Sequence, residues 1–214
     1  MIQQAFFITG TDTGVGKTTV ACQLIRHYAA LGYKVIGMKP VAAGEDYING
    51  EWINDDVLKL AAASNVQAPR SLTNPYSFKP AIAPHIAAEF EGVEIKIEVI
   101  KQAFEQLKKL ADIVIVEGAG GFLVPINSAK YNQQTMADLA AVLNVPIILV
   151  AGIKLGCINH TLLTIEAIKM RKIAFEGWIA NQIDPEMLSF NKNVETIAKI
   201  TQLNYLHLYT WQAA

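Results

Sequence analysis

Residues 5–20 read AFFITGTDTGVGKTTV: an apolar run, a glycine-containing turn, then the opening of a helical pattern. Gly14 and Gly16 let the backbone come close to an anion, successive N–H groups turn inward, and a helix opening at Lys17 adds partial positive charge at its N-terminus. A phosphate group is the ligand this turn suits. Lys17 then reaches the β- and γ-phosphates, and Thr18 sets its hydroxyl on a magnesium ion that bridges them. The strict GxxxxGK[ST] spacing is missed by one position, because Thr11 stands where the first glycine belongs and Gly10 precedes it.

Outward from that turn, short apolar runs recur: KVIGM at 34–38, IVIV at 113–116, PIILVAG at 146–152, FEGWIA at 175–180 and YLHLY at 205–209. Their hydrophobicity is continuous rather than alternating, as in strands covered on both faces of a parallel sheet. Between them the patterns predict helices over 17–31, 55–64, 98–110, 135–143, 159–172 and 187–203. This βαβ alternation predicts an α/β fold, a doubly wound, mostly parallel sheet with helices on both faces, P-loop NTPase-like, with ligands beyond the carboxyl ends of the strands. Residues 43–93, rich in Gly, Asn and Pro, form the long excursion, and such excursions often carry function.

The 214 residues suit one domain over 1–214, since α/β units commonly run to this size. With 52% apolar and 17% charged residues, disorder is excluded as the main state. A formal charge of −1 argues against a broad nucleic-acid or anionic-membrane face and favours small ligands. Cys22 and Cys157 share no pairing motif, so neither a disulfide framework nor a structural zinc is expected. The start MIQQAFFITG lacks a basic region and a long apolar stretch, and the apolar region 139–153 is interrupted by Asn144 and Pro146. A soluble cytoplasmic protein is expected.

Four further stretches carry candidate chemistry. Lys39 in GMKPV ends the second strand, and Pro40 fixes the direction in which it leaves. Taken alone, a lysine leaving a strand end is usually just solvated; if that strand neighbours the first, Lys39 emerges beside the phosphate loop and can hold an acceptor oxyanion in line with the γ-phosphate. In IVIVEGAGG, Glu117 occupies a Walker-B-like position for magnesium, ahead of glycines whose N–H groups can face phosphate. Asp56 in INDDVLKL reads equally as a carboxylate ligand or as a first-turn residue favoured by the helix dipole. KLGCINHTLLT, 154–164, presents a helix N-terminus suited to a carboxylate or phosphate, with Asn159 as its expected N-cap. His27, His85, His160 and His207 are scattered and read as structural or surface residues.

Taken together, GTDTGVGKT, MKPVAAG, NDD, PAIAPHIAA, VEGAGGFLVP, VAGIKLGCINH and GWIANQ resemble the dethiobiotin synthetase family nearly end to end. The resemblance implies an ATP-dependent ligase of biotin biosynthesis. Such an enzyme carboxylates 7,8-diaminononanoate with carbon dioxide and closes its ureido ring through a carbamate and a carbamic-phosphoric anhydride. It implies Mg2+ held by Thr18, Asp56 and Glu117, and Lys39 with Lys17 as the catalytic cations. Nucleotide contacts fall on Gly14, Val15, Gly16, Lys17, Thr18, Thr19, Asp56, Glu117, Gly118, Ala119 and Gly120, with Asn181 and Gln182 on the base side. Thr13, Lys39 and Ala43 stand by the diamine. Gly156, Cys157, Ile158 and Asn159 receive the substrate carboxylate from the neighbouring subunit, which implies a homodimer.

The pattern departs from the family at three places: Ala43, where Ser or Thr commonly follows KPVA; Gly14, where relatives carry Glu; and LNYLHLYTWQAA, in place of a Pro-Leu-Gly-like turn. Two rival classes share the phosphate loop. Partitioning or septum-positioning ATPases carry a lysine near the loop start, where this chain has Asp12. A hydroxyl kinase would need a carboxylate base and no bicarbonate.

Overall fold

The computed structural model describes residues 4–48, 50–127, 133–203 and 205–206. Strand β1 (Gln4–Gly10) leads through the glycine turn into helix α1 (Lys17–Ala30), followed by β2 (Val35–Met38). The excursion contains β3 (Val41–Ala43), β4 (Asp46–Ile48), β5 (Glu51–Ile53), α2 (Asp55–Ala63), α3 (Arg70–Thr73), β6 (Tyr76–Phe78) and α4 (Pro84–Phe90). Then come α5 (Ile97–Leu110), β7 (Ile113–Glu117), α6 (Met136–Leu143), β8 (Ile147–Ile153), α7 (Cys157–Met170), β9 (Phe175–Gln182) and α8 (Phe190–Thr201).

The main sheet has five parallel strands in the order β2-β7-β1-β8-β9. Side chains on a strand alternate between faces, and here both faces are apolar. Phe7 of β1 enters one core with Ile100, Phe104, Leu139, Ile165 and Ile197 of α5–α8. Its neighbours Phe6 and Ile8 enter the other core, with Val20, Leu24 and Ile25 of α1 and Leu60 of α2. This two-sided burial is why the strands read as unbroken apolar runs. In α5 the buried positions Ile97, Ile100, Ala103, Phe104 and Leu107 recur at helical spacing, so one stripe faces the sheet. Truncating a side chain such as Phe7, which has no exposed surface, removes about 3–5 kcal/mol of stability.

Several boundaries differ from the sequence expectation. The second strand does not neighbour the first, since β7 lies between them. Asn159 is not an N-cap: α7 begins at Cys157 after Gly156, whose φ of 92° is left-handed and favours glycine, so Asn159 lies inside the first turn. Thr135 caps α6 rather than joining it, through a reciprocal pair with Asp138. Helix α8 starts at Phe190 because Asp184 holds the preceding turn, its carboxylate accepting from Glu186 N at 3.0 Å and its carbonyl from Met187 N at 3.3 Å. Of the expected strand 205–209, Tyr205 bridges Trp178 in parallel and Leu206 N donates to the Trp178 carbonyl at 2.8 Å. Residues 207–209 lie outside the described residues. Among these residues no helix is long and apolar enough to cross a membrane.

Candidate active site

All five strands of the main sheet run the same way, so their carboxyl ends deliver Thr11, Lys39, Glu117, Lys154 and Gln182 to one edge of the molecule. A cleft of about 610 Å³ opens there. A second cleft of about 690 Å³ lies at the opposite edge, where Lys101, Glu105, Lys108 and Glu176 give charges of mixed sign. None of the residues expected to bind nucleotide or substrate lines it.

Helix α1 starts without help from any side chain. Its N-cap is Gly16, with φ 90°, no cap hydrogen bond and no acidic residue in the first turn. The first-turn N–H groups are thus left to an external acceptor. The Lys17 ammonium folds back to donate to the Asp12 carbonyl at 2.9 Å. Burial pulls its pKa down to about 8, helped by repulsion from Lys39 and opposed by Glu117 and Asp56. Asp12 is held below the usual carboxylate range by the Thr13 N–H at 2.7 Å and by Lys154 at 3.4 Å.

Across the cleft, Lys39 is buried at 5% exposure, so it is no solvated strand end. The intervening strand brings it a partner: Glu117 ends β7, and Lys39 Nζ donates to Glu117 Oε1 at 2.7 Å and to Asp56 Oδ2 at 2.9 Å. The Gly118 carbonyl lies at 3.4 Å from the same nitrogen. Burial alone would lower the Lys39 pKa, but the Glu117 and Asp56 carboxylates hold it raised. The opposite balance acts on Asp56: burial pushes up, while Lys39 and Thr18 hold it below the usual carboxylate range. Asp56 is a first-turn residue of α2, and its carboxylate also reaches Lys39 and Thr18 at the cleft.

Thr18 Oγ1 lies 2.7 Å from Asp56 Oδ1 and 2.9 Å from Glu117 Oε1. One hydroxyl proton cannot serve both acceptors, and Glu117 Oε2 is buried without a hydrogen-bond partner among the described residues. A hydroxyl and two carboxylates are hard oxygen donors of the kind Mg2+ takes while phosphate and water complete its octahedron. The described residues contain no group of three or more His, Cys, Asp or Glu arranged for a metal.

The family model for the AAA domain (AAA_26) matches residues 4–207. ATP-dependent dethiobiotin synthetase BioD of Nitrosospira multiformis is 54% identical over 191 residues, covering 89% of this chain and 81% of that protein. The BioD of Xanthomonas axonopodis pv. citri is 41% identical over 212 residues, covering 99% and 93%. The chain belongs to the dethiobiotin synthetase family. Among solved structures, the MinC:MinD cell division complex of Aquifex aeolicus aligns with TM-score 0.56 and 19% identity over 94% of this chain and 79% of that one. A ParA family ATPase of Chlorobium tepidum gives 0.54 and 14% over 96% and 83%. At those identities the likeness is one of fold. The fold is therefore shared with those two structures, while the sequence sides with the synthetases.

Within this synthetase-family chain the cleft gathers Thr13, Gly14, Gly16, Lys17, Thr18, Thr19, Lys39, Ala43, Asp56, Glu117, Ala119 and Gly120. Val15 points into the core at 1% exposure, and its carbonyl accepts from Asn181 Nδ2 at 2.9 Å. Asn181 thereby fastens the end of β9 to the phosphate loop, leaving its Oδ1 and second amide proton for other partners. Gln182 follows it, exposed at the strand end. Residues 156–159 open α7 and do not line this cleft. The sequence reading passed over Asn54, Lys59, residues 81–84 and Val124, which also line it, and Asn74, a buried amide that donates to the Lys39 carbonyl at 2.8 Å. Asn54 carried a legible signal, an Asn before two acids and an amphipathic run, which marks a helix start.

Proposed function

We propose that this chain is an ATP-dependent dethiobiotin synthetase, a ligase that forms carbon–nitrogen bonds on 7,8-diaminononanoate in biotin biosynthesis. The observation that carries the reading is the buried Lys39 ammonium facing Glu117 and Asp56 across one cleft from Lys17 and the open start of α1. One amine of the diamine adds to carbon dioxide and loses a proton, giving a carbamate. A carbamate oxygen attacks the γ-phosphorus of ATP and ADP leaves, giving a carbamic-phosphoric anhydride. The second amine attacks the carbonyl carbon and expels inorganic phosphate, which closes the ureido ring and releases a proton.

The obstacle is electrostatic, because a weak anionic nucleophile must meet an anionic phosphate. Lys17 and Lys39 supply fixed positive charge in a partly buried cleft, where it counts for more than in water. Lys17 releases the Asp12 carbonyl to reach the β- and γ-phosphates, and Lys39 turns to the carbamate and γ-phosphate oxygens as they approach. Thr18, Asp56 and Glu117 would hold Mg2+, which when bound neutralises phosphate charge and orients the triphosphate. The N–H groups of Gly14, Val15, Gly16, Thr19, Ala119 and Gly120 line the phosphates, while Gly118, whose N–H donates to the Ile8 carbonyl at 3.0 Å, sets the turn, and Asn181 with Gln182 faces the base. Thr13 and Ala43 flank the diamine.

The substrate carboxylate binds residues 156–159 of a second copy. That segment starts a helix without a side-chain cap or an acid in its first turn, and it lies outside the cleft of its own chain, so a homodimer completes the site. The test is phosphate release with diaminononanoate, ATP, Mg2+ and bicarbonate. Omitting bicarbonate should abolish release, and an unchanged rate would overturn the carbamate route in favour of a kinase.

A further inference from the structure

Asn54 uses every arm of its side chain. It is buried at 7% exposure and lines the cleft. Its Oδ1 accepts from Asp56 N at 3.1 Å and Val57 N at 3.3 Å, which caps α2. Its Nδ2 points the other way and donates to the Gly44 carbonyl at 2.7 Å and the Ala43 carbonyl at 3.3 Å. A helix cap needs only the oxygen. The amide nitrogen ties the exit of β3 to the entrance of α2, across the neck of the exposed β4–β5 hairpin.

The two ends joined in this way carry the two halves of the site. Asp56, two residues after Asn54, holds Thr18 and Lys39. Ala43 stands on the other side, and it offers the cleft only a methyl group and its backbone. With no polar side chain at that position to adjust its reach, the wall works by where the strand sits. That placement depends on the Asn54 amide together with the pairing of β3 to β6. Arg70 clips the hairpin itself, donating to the Glu45 carboxylate at 2.6 Å and to the Trp52 carbonyl at 2.8 Å, so loss of the amide frees the Ala43–Gly44 edge from α2, and the wall shifts relative to the carboxylate cluster.

We propose that Asn54 is a positioning residue for the diamine: its amide locks the Ala43–Gly44 edge of the cleft to the start of α2. The inference rests on the function proposed above. Asn54→Ser and Asn54→Asp both keep a capping oxygen, and both lose the amide donor that reaches the two carbonyls. In the whole chain each variant should raise the diamine KM about tenfold while ADP affinity stays within about twofold of wild type, with the melting midpoint lowered by only a few degrees for the lost hydrogen bonds. A diamine KM unchanged in both variants would make Asn54 a helix cap alone. Equal weakening of ADP and diamine would also overturn the proposal, because it would mean collapse of the whole cleft. Wild-type protein without diamine-dependent turnover would overturn the proposed function itself, and the role of Asn54 with it.

Discussion

Two pairs of helix N-termini are built in opposite ways. Helices α2 and α6 are closed by their own side chains, Asn54 on Asp56 and Val57, and Thr135 in a reciprocal pair with Asp138. Both also place acids in the first turn, which complements the helix dipole. Helices α1 and α7 start at glycines with φ near 90°, accept no side-chain cap and carry no acid in the first turn. Every helix leaves unpaired N–H groups at its start. Side chains that satisfy them stabilise the fold, and starts that leave them open are suited to anions. The two open starts also differ from each other: behind α1 stand the buried Lys17 and Lys39, whereas Lys154 near α7 is half-buried and paired with Asp12.

The largest effect separates those two glycines. A Cβ on Gly16 would sit 2.1 Å from Asn181 Nδ2 at a left-handed φ, so Gly16→Ala must break the Asn181 contact with Val15 or unwind the helix start. Backbone strain and overpacking together should weaken ADP binding about 100-fold in an equilibrium titration. A Cβ on Gly156 meets nothing within 4 Å, so Gly156→Ala carries strain alone and should leave ADP binding unchanged. Equal ADP affinities for the two variants would erase the distinction between the starts.

Lys39→Met comes next. It removes the cation between Asp56 and Glu117 and should lower kcat about 100-fold, as loss of a transition-state donor does, while ADP affinity changes about threefold or less. Equal losses in both would make Lys39 a ground-state binding residue.

A smaller effect follows from Lys17. With its pKa near 8 in the free protein, the unfolded chain binds the extra proton between pH 8 and the ordinary lysine value of 10.5. The cost of holding the Lys17 charge is therefore fully present below pH 8 and relieved as pH rises through that window. A bound phosphate raises the pKa again, so ADP binding in the presence of a chelator should take up a proton at pH 8–9 and weaken as pH climbs. Calorimetry in buffers of different ionisation enthalpy measures that uptake, and its absence would mean that Lys17 stays fully charged in the open loop.

Much of the architecture was legible because two-sided burial forces unbroken apolar runs, and because the phosphate turn needs a strand before it and a helix after it. Strand order was not legible. β2 and β7 are both wholly buried, so nothing in their composition says which lies beside β1. The order found has a useful outcome, since the strand in between delivers Glu117 to Lys39. Asn159 was misread because a side-chain cap was expected where a left-handed glycine starts the helix. The hairpin of β4 and β5 went unread although Asn49–Gly50 is the usual signal for one. Asn54 and Asn74 belong to no periodic pattern, and their value lies in which distant carbonyls they reach.

The smallest effect tests the closed starts. Thr135 Oγ1 accepts from Asp138 N at 3.4 Å, and Asp138 Oδ2 accepts from Thr135 N at 2.7 Å. Arg171 at the end of α7 also donates to Asp138, so the box joins two helices of one core. Thr135→Ala leaves the Asp138 carboxylate its backbone and arginine donors and removes one cap acceptor. The cost is about 1 kcal/mol, a fall of about 2–4 °C in Tm for a chain of this size. ADP affinity and diamine KM should not move, because Thr135 lines neither the cleft nor the start of α7. A Thr135 variant that melted normally but bound ADP poorly would show that a capped start also serves the ligand, and the division between structural and ligand-facing helix ends would fail.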